Sequence, residues 1–218
     1  MIFLLISDIH DRYGRMATII RREIYDVLII AGDFTYGGDI DHVYRAFKII
    51  RENTNKLVFF VPGNCDPVEL LEFEDIENKI YNLHKKAIKI NGLYLVGLGG
   101  SNITPFNTPI EFTEQEIASI LDNIHGEYRA DRTIVVSHVP PYNTVDILPS
   151  GIPIGSIALR EFIERVQPLA VFCGHVHENQ KFIRHGSTII VNPGPAMHGK
   201  YAVISIKDTI NVELKAEH

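Results

Sequence analysis

The 218-residue chain has few cysteines, no tryptophan and no long apolar run. Cys65 and Cys173 do not form a C-x-x-C pair, and two cysteines do not make a disulfide framework, so we expect a reducing compartment. Residues 1–6 are apolar, but they have no basic lead and no cleavage signature, so we expect no signal peptide. No apolar run approaches the roughly 20 residues that cross a bilayer. These absences predict a cytoplasmic protein without a membrane partner.

The chain also lacks an excess of positive charge. It carries 21 Lys and Arg against 27 Asp and Glu, a formal net charge of −6. A general nucleic-acid binder needs a basic face that displaces counterions, so we expect no nucleic-acid partner. A small phosphorylated substrate remains compatible with this charge, because bound cations reverse the field of an acidic pocket. With no repeat, low-complexity tract or linker, the chain is predicted to be one domain, residues 1–218, and homo-oligomerisation is left open.

Short apolar runs alternate with helical patterns at the start of the chain. Strands are predicted at 2–6, 27–31 and 57–61, and helices at 13–25 and 40–51. A β-α-β-α-β order is typical of a parallel sheet flanked by helices. The sequence thus predicts an α/β fold.

The remainder of the chain is richer in strands. Asn91-Gly92, between runs at 87–90 and 93–98, indicates a two-residue hairpin turn. Thr113 with Glu116 forms a capping box for a helix at 113–124, after a loop at 99–113. A further helix is predicted at 155–166, and further strands at 133–137, 169–173, 187–191, 201–206 and 209–214. We expect two stacked mixed β-sheets flanked by helices, an α/β/β/α sandwich with the second sheet mostly antiparallel.

Polar side chains that can bind metals follow five of the predicted strands. The motifs are Asp8-Ile9-His10, Gly32-Asp33, Gly63-Asn64-Cys65-Asp66, Ser137-His138 and Gly174-His175-Val176-His177. Ligand sites of α/β sheets gather at the carboxyl ends of strands. In an extended chain the first and third residues of D-x-H and H-x-H point the same way. The sequence therefore predicts one metal site at this edge.

The ligand types narrow the choice of metal. The set mixes imidazoles, carboxylates and one amide, with no certain thiolate. Such a set favours Mn²⁺, Fe, Zn²⁺, Co²⁺ or Ni²⁺ over Ca²⁺ or a structural Cys₄ zinc.

The five motifs, in this order, resemble the signature of the calcineurin-like metallophosphoesterases, and the chain looks like the small G-N-C-D branch of that family. The resemblance runs from Asp8 to His177. It implies hydrolysis of a phosphoester, a hydrolase activity that uses a binuclear metal centre of two divalent ions. Manganese is the first choice, with iron, nickel, cobalt or zinc as alternatives.

The same resemblance implies the role of each motif residue. The first metal would be bound by Asp8, His10 and His177. The second metal would be bound by Asn64, His138 and His175. Asp33 would bridge both ions, and a hydroxide shared between them would attack phosphorus in line. Asp33, Asn64 and His138 are accordingly our candidate catalytic residues.

Cys65 departs from the G-N-H sequence of many family members. A thiol is a poor donor beside an imidazolium, and a phosphomonoester carries nearly two negative charges where a diester carries one. Losing a cationic donor should therefore hurt monoester hydrolysis more, which favours a phosphodiesterase. Substrate contacts are expected from Asn64, Cys65, Asn102 and His198.

Two alternatives to a small-substrate enzyme exist. Some relatives of the small prokaryotic type are protein-binding scaffolds that have lost catalysis and one or more metal-site histidines. This chain matches all seven ligand positions, which favours an enzyme acting on a small phosphoester over a metal-binding interaction scaffold. A nuclease would need a basic groove, which the acidic composition disfavours.

Other polar residues are assigned structural or surface positions. Asp11 either tunes the first metal or faces solvent. Asp66 is expected to cap a helix that begins at Pro67. Five histidines without motif context are expected at the surface: His42, His84, His125, His185 and His218.

Overall fold

The computed structural model describes residues 1–124, 126 and 128–217. These residues contain four α-helices, α1 Tyr13–Arg22, α2 Ile40–Asn53, α3 Glu114–Ile124 and α4 Ile157–Val166. The strands are β1 Ile2–Ile6, β2 Val27–Ala31, β3 Leu57–Val61, β4 Ile80–Asn82, β5 Ala87–Ile90, β6 Leu93–Leu98, β7 Ser101–Asn102, β8 Glu111–Phe112, β9 Thr133–Ser137, β10 Ala170–Phe172, β11 Lys181–His185, β12 Thr188–Asn192, β13 Lys200–Ile206 and β14 Ile210–Ala216.

The first sheet has the strand order β14-β13-β1-β2-β3-β4. Strands β1 to β4 are parallel neighbours, and β13 and β14 extend the sheet antiparallel to β1. Helix α1 connects β1 to β2 and helix α2 connects β2 to β3. Each helix returns the chain to the end of the sheet at which the parallel strands begin. The carboxyl ends of β1, β2 and β3 consequently lie side by side.

Strand β1 shows how the layers are stacked. Its side chains alternate: Phe3 and Leu5 belong to a core between the two sheets, whereas Leu4 and Ile6 belong to a core beneath α1 and α2. Alternate residues of a strand point to opposite faces, so a strand buried on both faces is apolar throughout. A third core lies between the second sheet and helices α3 and α4, which confirms the predicted sandwich of two mixed sheets flanked by helices.

The second sheet corrects one prediction. Its order is β11-β12-β10-β9-β6-β5, and the three inner pairings are parallel, so the expectation of a mostly antiparallel second sheet is wrong. Antiparallel pairs occur only at its two edges. The tail strands β13 and β14 join the first sheet instead. The carboxyl ends of β9 and β10 therefore point the same way as each other, as a shared site requires.

Local signals placed several elements correctly. The β5–β6 hairpin turns at Asn91 and Gly92, whose φ angles of 45° and 80° fit the predicted turn. At α3, the Thr113 amide donates to Glu116 and the Glu116 amide donates to Thr113 Oγ1, as a capping box requires. Helix α1 ends at Arg22, before the predicted end at residue 25. Strands β4 and β11 were not predicted, and the expected loop at 99–113 contains the short β7 and β8.

No helix among the described residues is long and apolar enough to cross a membrane.

Candidate metal centre

The predicted ligands converge at the carboxyl ends of five strands from both sheets. Asp8 follows β1, Asp33 follows β2, Asn64 follows β3, His138 follows β9 and His175 follows β10. Several of these residues have left-handed backbones, with φ of 54° at Asp8, 56° at Asp33 and 69° at His175. Such angles cost roughly 1–3 kcal/mol at a non-glycine residue and cluster at functional sites. The chain thus bends sharply after β1, β2 and β10, where Asp8, Asp33 and His175 enter the centre.

One group of three side chains lies on the side of β1. Asp8, His10 and His177 present ligand atoms within 4.8 Å of one another. His177 Nε2 is 3.4 Å from Asp8 Oδ1 and 3.3 Å from His10 Nε2. The three residues implied for the first metal are therefore together, and ligation by them stays a prediction.

A second group surrounds Asp33. Asp8, Asp33 and His138 also present ligand atoms within 4.8 Å of one another. Asp33 Oδ2 lies 3.5 Å from His10 Nε2 and 3.4 Å from His138 Nε2, between the two imidazoles. Asn64 Oδ1 is 2.9 Å from His138 Nε2. This central position of Asp33 suits the bridging role that the sequence resemblance implied.

His175 completes the predicted set less closely. Its ring centroid is 5.0 Å from that of His138, and its backbone amide donates to both oxygens of Asp8 at 3.1 and 3.2 Å. Burial and the neighbouring His138 lower the pKa of His175 to about 4. A neutral imidazole has the free lone pair that metal ligation needs.

Hydrogen bonds behind two of the imidazoles set their tautomers. His10 Nδ1 is 3.2 Å from the Thr35 carbonyl oxygen and His138 Nδ1 is 2.7 Å from that of Ala31. A carbonyl only accepts, so each Nδ1 carries hydrogen, and Nε2 is the ring atom that each histidine directs at Asp33. Metal-binding histidines are commonly held this way. The donor set and its supports fit divalent transition metals.

Charge in this centre is strongly coupled. Although burial alone would raise the pKa of Asp33, the charge and hydrogen bond of His138 lower it well below the usual range. Burial would likewise lower the pKa of His138, yet the Asp33 carboxylate raises it to about 9. A proton on His138 therefore balances the Asp33 carboxylate.

Two glycines make the close packing feasible. A Cβ at Gly63 would lie 2.0 Å from Asp33 Oδ1, and a Cβ at Gly174 would overlap the Ser7 side chain. Both contacts are far inside the van der Waals limit. The motif glycines are thus needed here because the backbone passes directly behind the carboxylates.

Asp66 corrects a prediction. It does not cap a helix, because the short 3₁₀ helix Val68–Leu71 has no side-chain cap. Instead Asp66 is fully buried and accepts from the amides of Gly63 at 2.8 Å and Thr35 at 2.9 Å. Burial and repulsion from Asp33 raise its pKa to about 7. Asp66 joins the loop after β3 to the loop after β2.

A network that the motifs did not reveal holds Asn64. Its Nδ2 donates to Thr108 Oγ1 at 3.0 Å, and Thr108 Oγ1 donates to Glu111 at 2.5 Å. Fixing Nδ2 in this way turns Oδ1 of the same amide toward His138. Glu111 also accepts from the Thr108 amide and from the Thr104 hydroxyl, so one carboxylate organises the whole segment 104–108. No local pattern marks Thr108 as a partner of a residue 44 positions away.

A cleft of about 410 Å³ opens over the centre. Its lining residues are His10, Asp33, Tyr36, Gly37, Asn64, Cys65, Phe106, Thr108, Pro109, His175 and His177. Within the described part of the chain this lining includes no Lys or Arg. Of the four expected substrate contacts, the structure brings Asn64 and Cys65 into the cleft lining but not Asn102 or His198. Burial, followed by the nearby Asp33, raises the pKa of the Cys65 thiol well above its usual range.

Asp11 neither joins the ligand groups nor faces solvent freely. Its carboxylate accepts from the Tyr13 hydroxyl at 2.8 Å and from the Tyr36 amide at 3.0 Å, and pairs with His42 Nδ1 at 2.8 Å. Burial alone would raise the pKa of Asp11, but these three contacts together lower it. Asp11 therefore fixes the backbone that carries Tyr36 beside the cleft.

The prediction of surface positions for five histidines is wrong for His84. Its ring is only 3% exposed, accepts from the Gly99 amide at 3.0 Å and stacks on Phe112. His42 and His185 are partly exposed. His125 and His218 lie outside the described residues.

Comparisons with known proteins agree with this geometry. The family model described as calcineurin-like phosphoesterase matches residues 1–179. The uncharacterized protein MJ1162 of Methanocaldococcus jannaschii is 37% identical over 206 residues, covering 91% of this chain and 92% of that protein. TT1561 of Thermus thermophilus superposes with a TM-score of 0.75 at 16% identity over 98% of both chains. A dimetal phosphatase from Danio rerio superposes with a TM-score of 0.63 at 14% identity over 99% of this chain and 96% of its own. At these identities the solved structures support the fold alone.

Proposed function

The chain belongs to the calcineurin-like phosphoesterase family, and from that premise we propose that it is a two-metal phosphodiesterase acting on a small phosphoester. The observation that carries the proposal is the convergence of carboxylate, amide and imidazole ligand atoms around Asp33 at the floor of an open cleft. Among divalent ions, manganese is the first choice, with iron, nickel, cobalt and zinc as alternatives.

When bound, two divalent ions would polarise the phosphoryl group and lower the pKa of the attacking water. The residues proposed to hold the first ion are Asp8, His10 and His177. Those proposed for the second ion are Asn64, His138 and His175. Asp33 lies within 3.5 Å of both His10 Nε2 and His138 Nε2, which supports a bridging role.

The remaining groups orient and shield the reaction. Thr108 holds the Asn64 amide with Oδ1 facing the centre. The amide of Cys65 donates to Asp33 Oδ1 at 2.9 Å, which leaves Oδ2 directed at the imidazoles. Burial of Asp8 and Asp33 keeps bulk water from screening the electrostatic interactions of these carboxylates.

Two features of the cleft support diesters over monoesters. Its lining, in the residues that the structure describes, offers no Lys or Arg to balance a second negative charge on phosphate. Cys65 stands in the lining where many relatives have histidine, so this position offers the phosphate no imidazolium. A singly charged diester therefore matches the cleft better than a doubly charged monoester.

The test uses metal-stripped protein reloaded singly with Mn²⁺, Ni²⁺, Co²⁺, Zn²⁺ or Mg²⁺. Each form is assayed on bis(p-nitrophenyl) phosphate and on p-nitrophenyl phosphate. We expect metal-dependent turnover with the higher kcat/KM for the diester. Asp33→Asn should lower kcat/KM by about 100-fold or more, since removing an outer-shell partner alone costs roughly 10–100-fold.

Asp208→Asn is the matched control, because Asp208 is exposed in the turn between β13 and β14. A higher kcat/KM for the monoester would overturn the diester preference. Binding of two ions without turnover of either substrate would overturn the enzymatic proposal in favour of the interaction scaffold.

A further inference from the structure

The two most exposed aromatic side chains of the described residues both line the cleft. Phe106 is 80% exposed and Tyr36 is 76% exposed, whereas the next, Tyr44, is 46% exposed. Scattered apolar side chains on a surface need no explanation. Two exposed aromatic rings at one cleft that is also lined by candidate metal-binding side chains do need one. Aromatic faces in that position can bind a flat apolar group of a ligand.

The backbone beneath Phe106 is held firmly. Its amide donates to Thr104 Oγ1 at 3.2 Å, and that hydroxyl donates to Glu111 at 2.6 Å. Thr108, on the other side of Phe106, donates to the same carboxylate through its amide and its hydroxyl. The ring is therefore exposed on a segment that is already ordered, so binding against it costs little backbone entropy.

The backbone beneath Tyr36 is held from two directions. Its amide donates to Asp11, and the next amide, of Gly37, donates to the Cys65 carbonyl at 3.2 Å. The Tyr36 ring meets the His10 ring edge to face, with 5.2 Å between centroids and 73° between planes. A substrate group in contact with Tyr36 therefore lies immediately beside His10, one of the proposed metal ligands.

We propose that the substrate carries a flat aromatic group next to its phosphodiester, and that Tyr36 and Phe106 in the cleft lining contact this group. The inference rests on the proposed function, because it takes the phosphoryl group to bind over His10 and Asp33. The lack of Lys and Arg in the described lining agrees with it, since the part of the substrate beyond the phosphoryl group then meets aromatic rings and no cationic side chain. Tyr36 and Phe106 are specificity-determining residues in this scheme.

The test measures binding without turnover. Methyl(phenyl)phosphinate and dimethylphosphinate are both single anions whose phosphorus substituents are joined by P–C bonds, so neither offers an ester to hydrolyse. Each is titrated calorimetrically into Mn²⁺-loaded protein. We expect the phenyl compound to bind at least roughly tenfold more tightly, because each aromatic contact adds about threefold to tenfold beyond burial.

Variants assign the preference to the two rings. In Tyr36→Leu/Phe106→Leu the preference for the phenyl compound should fall by roughly tenfold while dimethylphosphinate affinity is unchanged. Ile103→Ala is the matched control, because Ile103 is 61% exposed near the same segment but does not line the cleft. It should leave the preference as it is.

Each other outcome contradicts the inference in a distinguishable way. Equal affinity of the two phosphinates, with both bound, would overturn the aromatic contact and leave the phosphoesterase proposal standing. A preference that persists in the double variant, or that falls equally in Ile103→Ala, would also overturn the assignment to Tyr36 and Phe106. Failure of both phosphinates to bind metal-loaded protein would overturn the inference together with the phosphoryl site on which it rests.

Discussion

The two ends of the strands in the first sheet carry very different cavities. A groove of about 610 Å³ lies at the amino ends of β2 and β3, larger than the cleft of about 410 Å³ at the carboxyl ends. The larger groove mixes charges of both signs, including Arg21 with Glu23 and Arg51 with Glu52. Its lining residues, all within the described chain, have no positive φ angles. The smaller cleft has converging acceptors on bent backbones.

Volume therefore does not mark the cavity in which the metal-ligating atoms converge. At the carboxyl ends of the strands, called here the carboxyl edge, Asp8 and Asp33 are buried, so their charge needs compensation. The surrounding imidazoles and, we propose, metal ions supply it. At the opposite ends, the amino edge, charged side chains can compensate one another or face water. Three substitutions test whether the two edges differ as sharply as their chemistry indicates.

The largest effect is expected from Gly63→Ala at the carboxyl edge. The new methyl group would lie 2.0 Å from Asp33 Oδ1 and 2.2 Å from the Asp33 amide, so the bridging carboxylate must move. A displacement of about 1 Å at a reacting centre can cost roughly 100-fold, and we expect at least that loss in kcat/KM for the diester. Metal content measured on the same sample shows whether ion binding falls with it.

Gly92→Ala provides the control for the first prediction. Gly92 also has a positive φ, 80°, but nothing lies within 4 Å of its added methyl group. This variant should lose about 1 kcal/mol of unfolding free energy and keep its activity. Full activity in Gly63→Ala would show that the carboxyl edge is not as tightly packed around Asp33 as the structure indicates.

A smaller effect is expected from Thr108→Val, which keeps the shape of the side chain and removes its hydroxyl. Asn64 Nδ2 then loses its oxygen acceptor and keeps only the 3.7 Å contact with Cys65 Sγ, so the amide is held less firmly. Loss of an outer hydrogen-bond partner typically lowers metal affinity by roughly 10–100-fold, and we expect about 10-fold for one of two Mn²⁺ ions.

Calorimetric titration of metal-stripped protein with Mn²⁺ measures this change directly. Thr108→Ser retains the hydroxyl and should bind Mn²⁺ as the original protein does. If the valine variant binds both ions with unaltered affinity, the network through Glu111 does not position Asn64.

The convergence of the motif residues at the carboxyl ends of the strands could be predicted because the signal for it is local, while their roles as ligands stay predictions. A glycine or a D-x-H pair after an apolar run marks a strand end, and parallel strands bring such ends together. Asp8, His10, Asp33, Asn64, His138 and His177 accordingly lie where the motif order placed them. The supporting residues could not be found in that way. Thr108 meets Asn64 only through tertiary folding.

Asp66 and the second sheet show how a local signal misleads. Aspartate before proline is a good helix start, so the sequence favoured a cap, but the buried amides of Gly63 and Thr35 bind this carboxylate instead. The second sheet was misjudged because strand direction depends on connections rather than on strand composition. Strand β11 lies at an edge of the second sheet, and all of its residues are exposed or partly exposed. It therefore lacked the apolar run that marked the other strands.

The smallest effect is expected at the amino edge, from Arg51→Met. Nε and Nη2 of Arg51 are buried without a hydrogen-bond partner among the described residues, and burial lowers the pKa of the guanidinium. The substitution removes those unpaired donors and keeps most of the apolar stem, while it gives up one hydrogen bond from Nη1 to the Lys56 carbonyl. An unsatisfied buried donor costs about 1–3 kcal/mol, and a typical hydrogen bond contributes about 0.5–1.5 kcal/mol. The unfolding free energy of the variant should therefore stay the same or rise by about 1 kcal/mol.

Urea unfolding measures that change, and the kcat/KM for the diester should be unaltered. A loss of activity from this change at the opposite ends of the strands would break the contrast between the two edges, because it would make the amino-edge groove part of the working site.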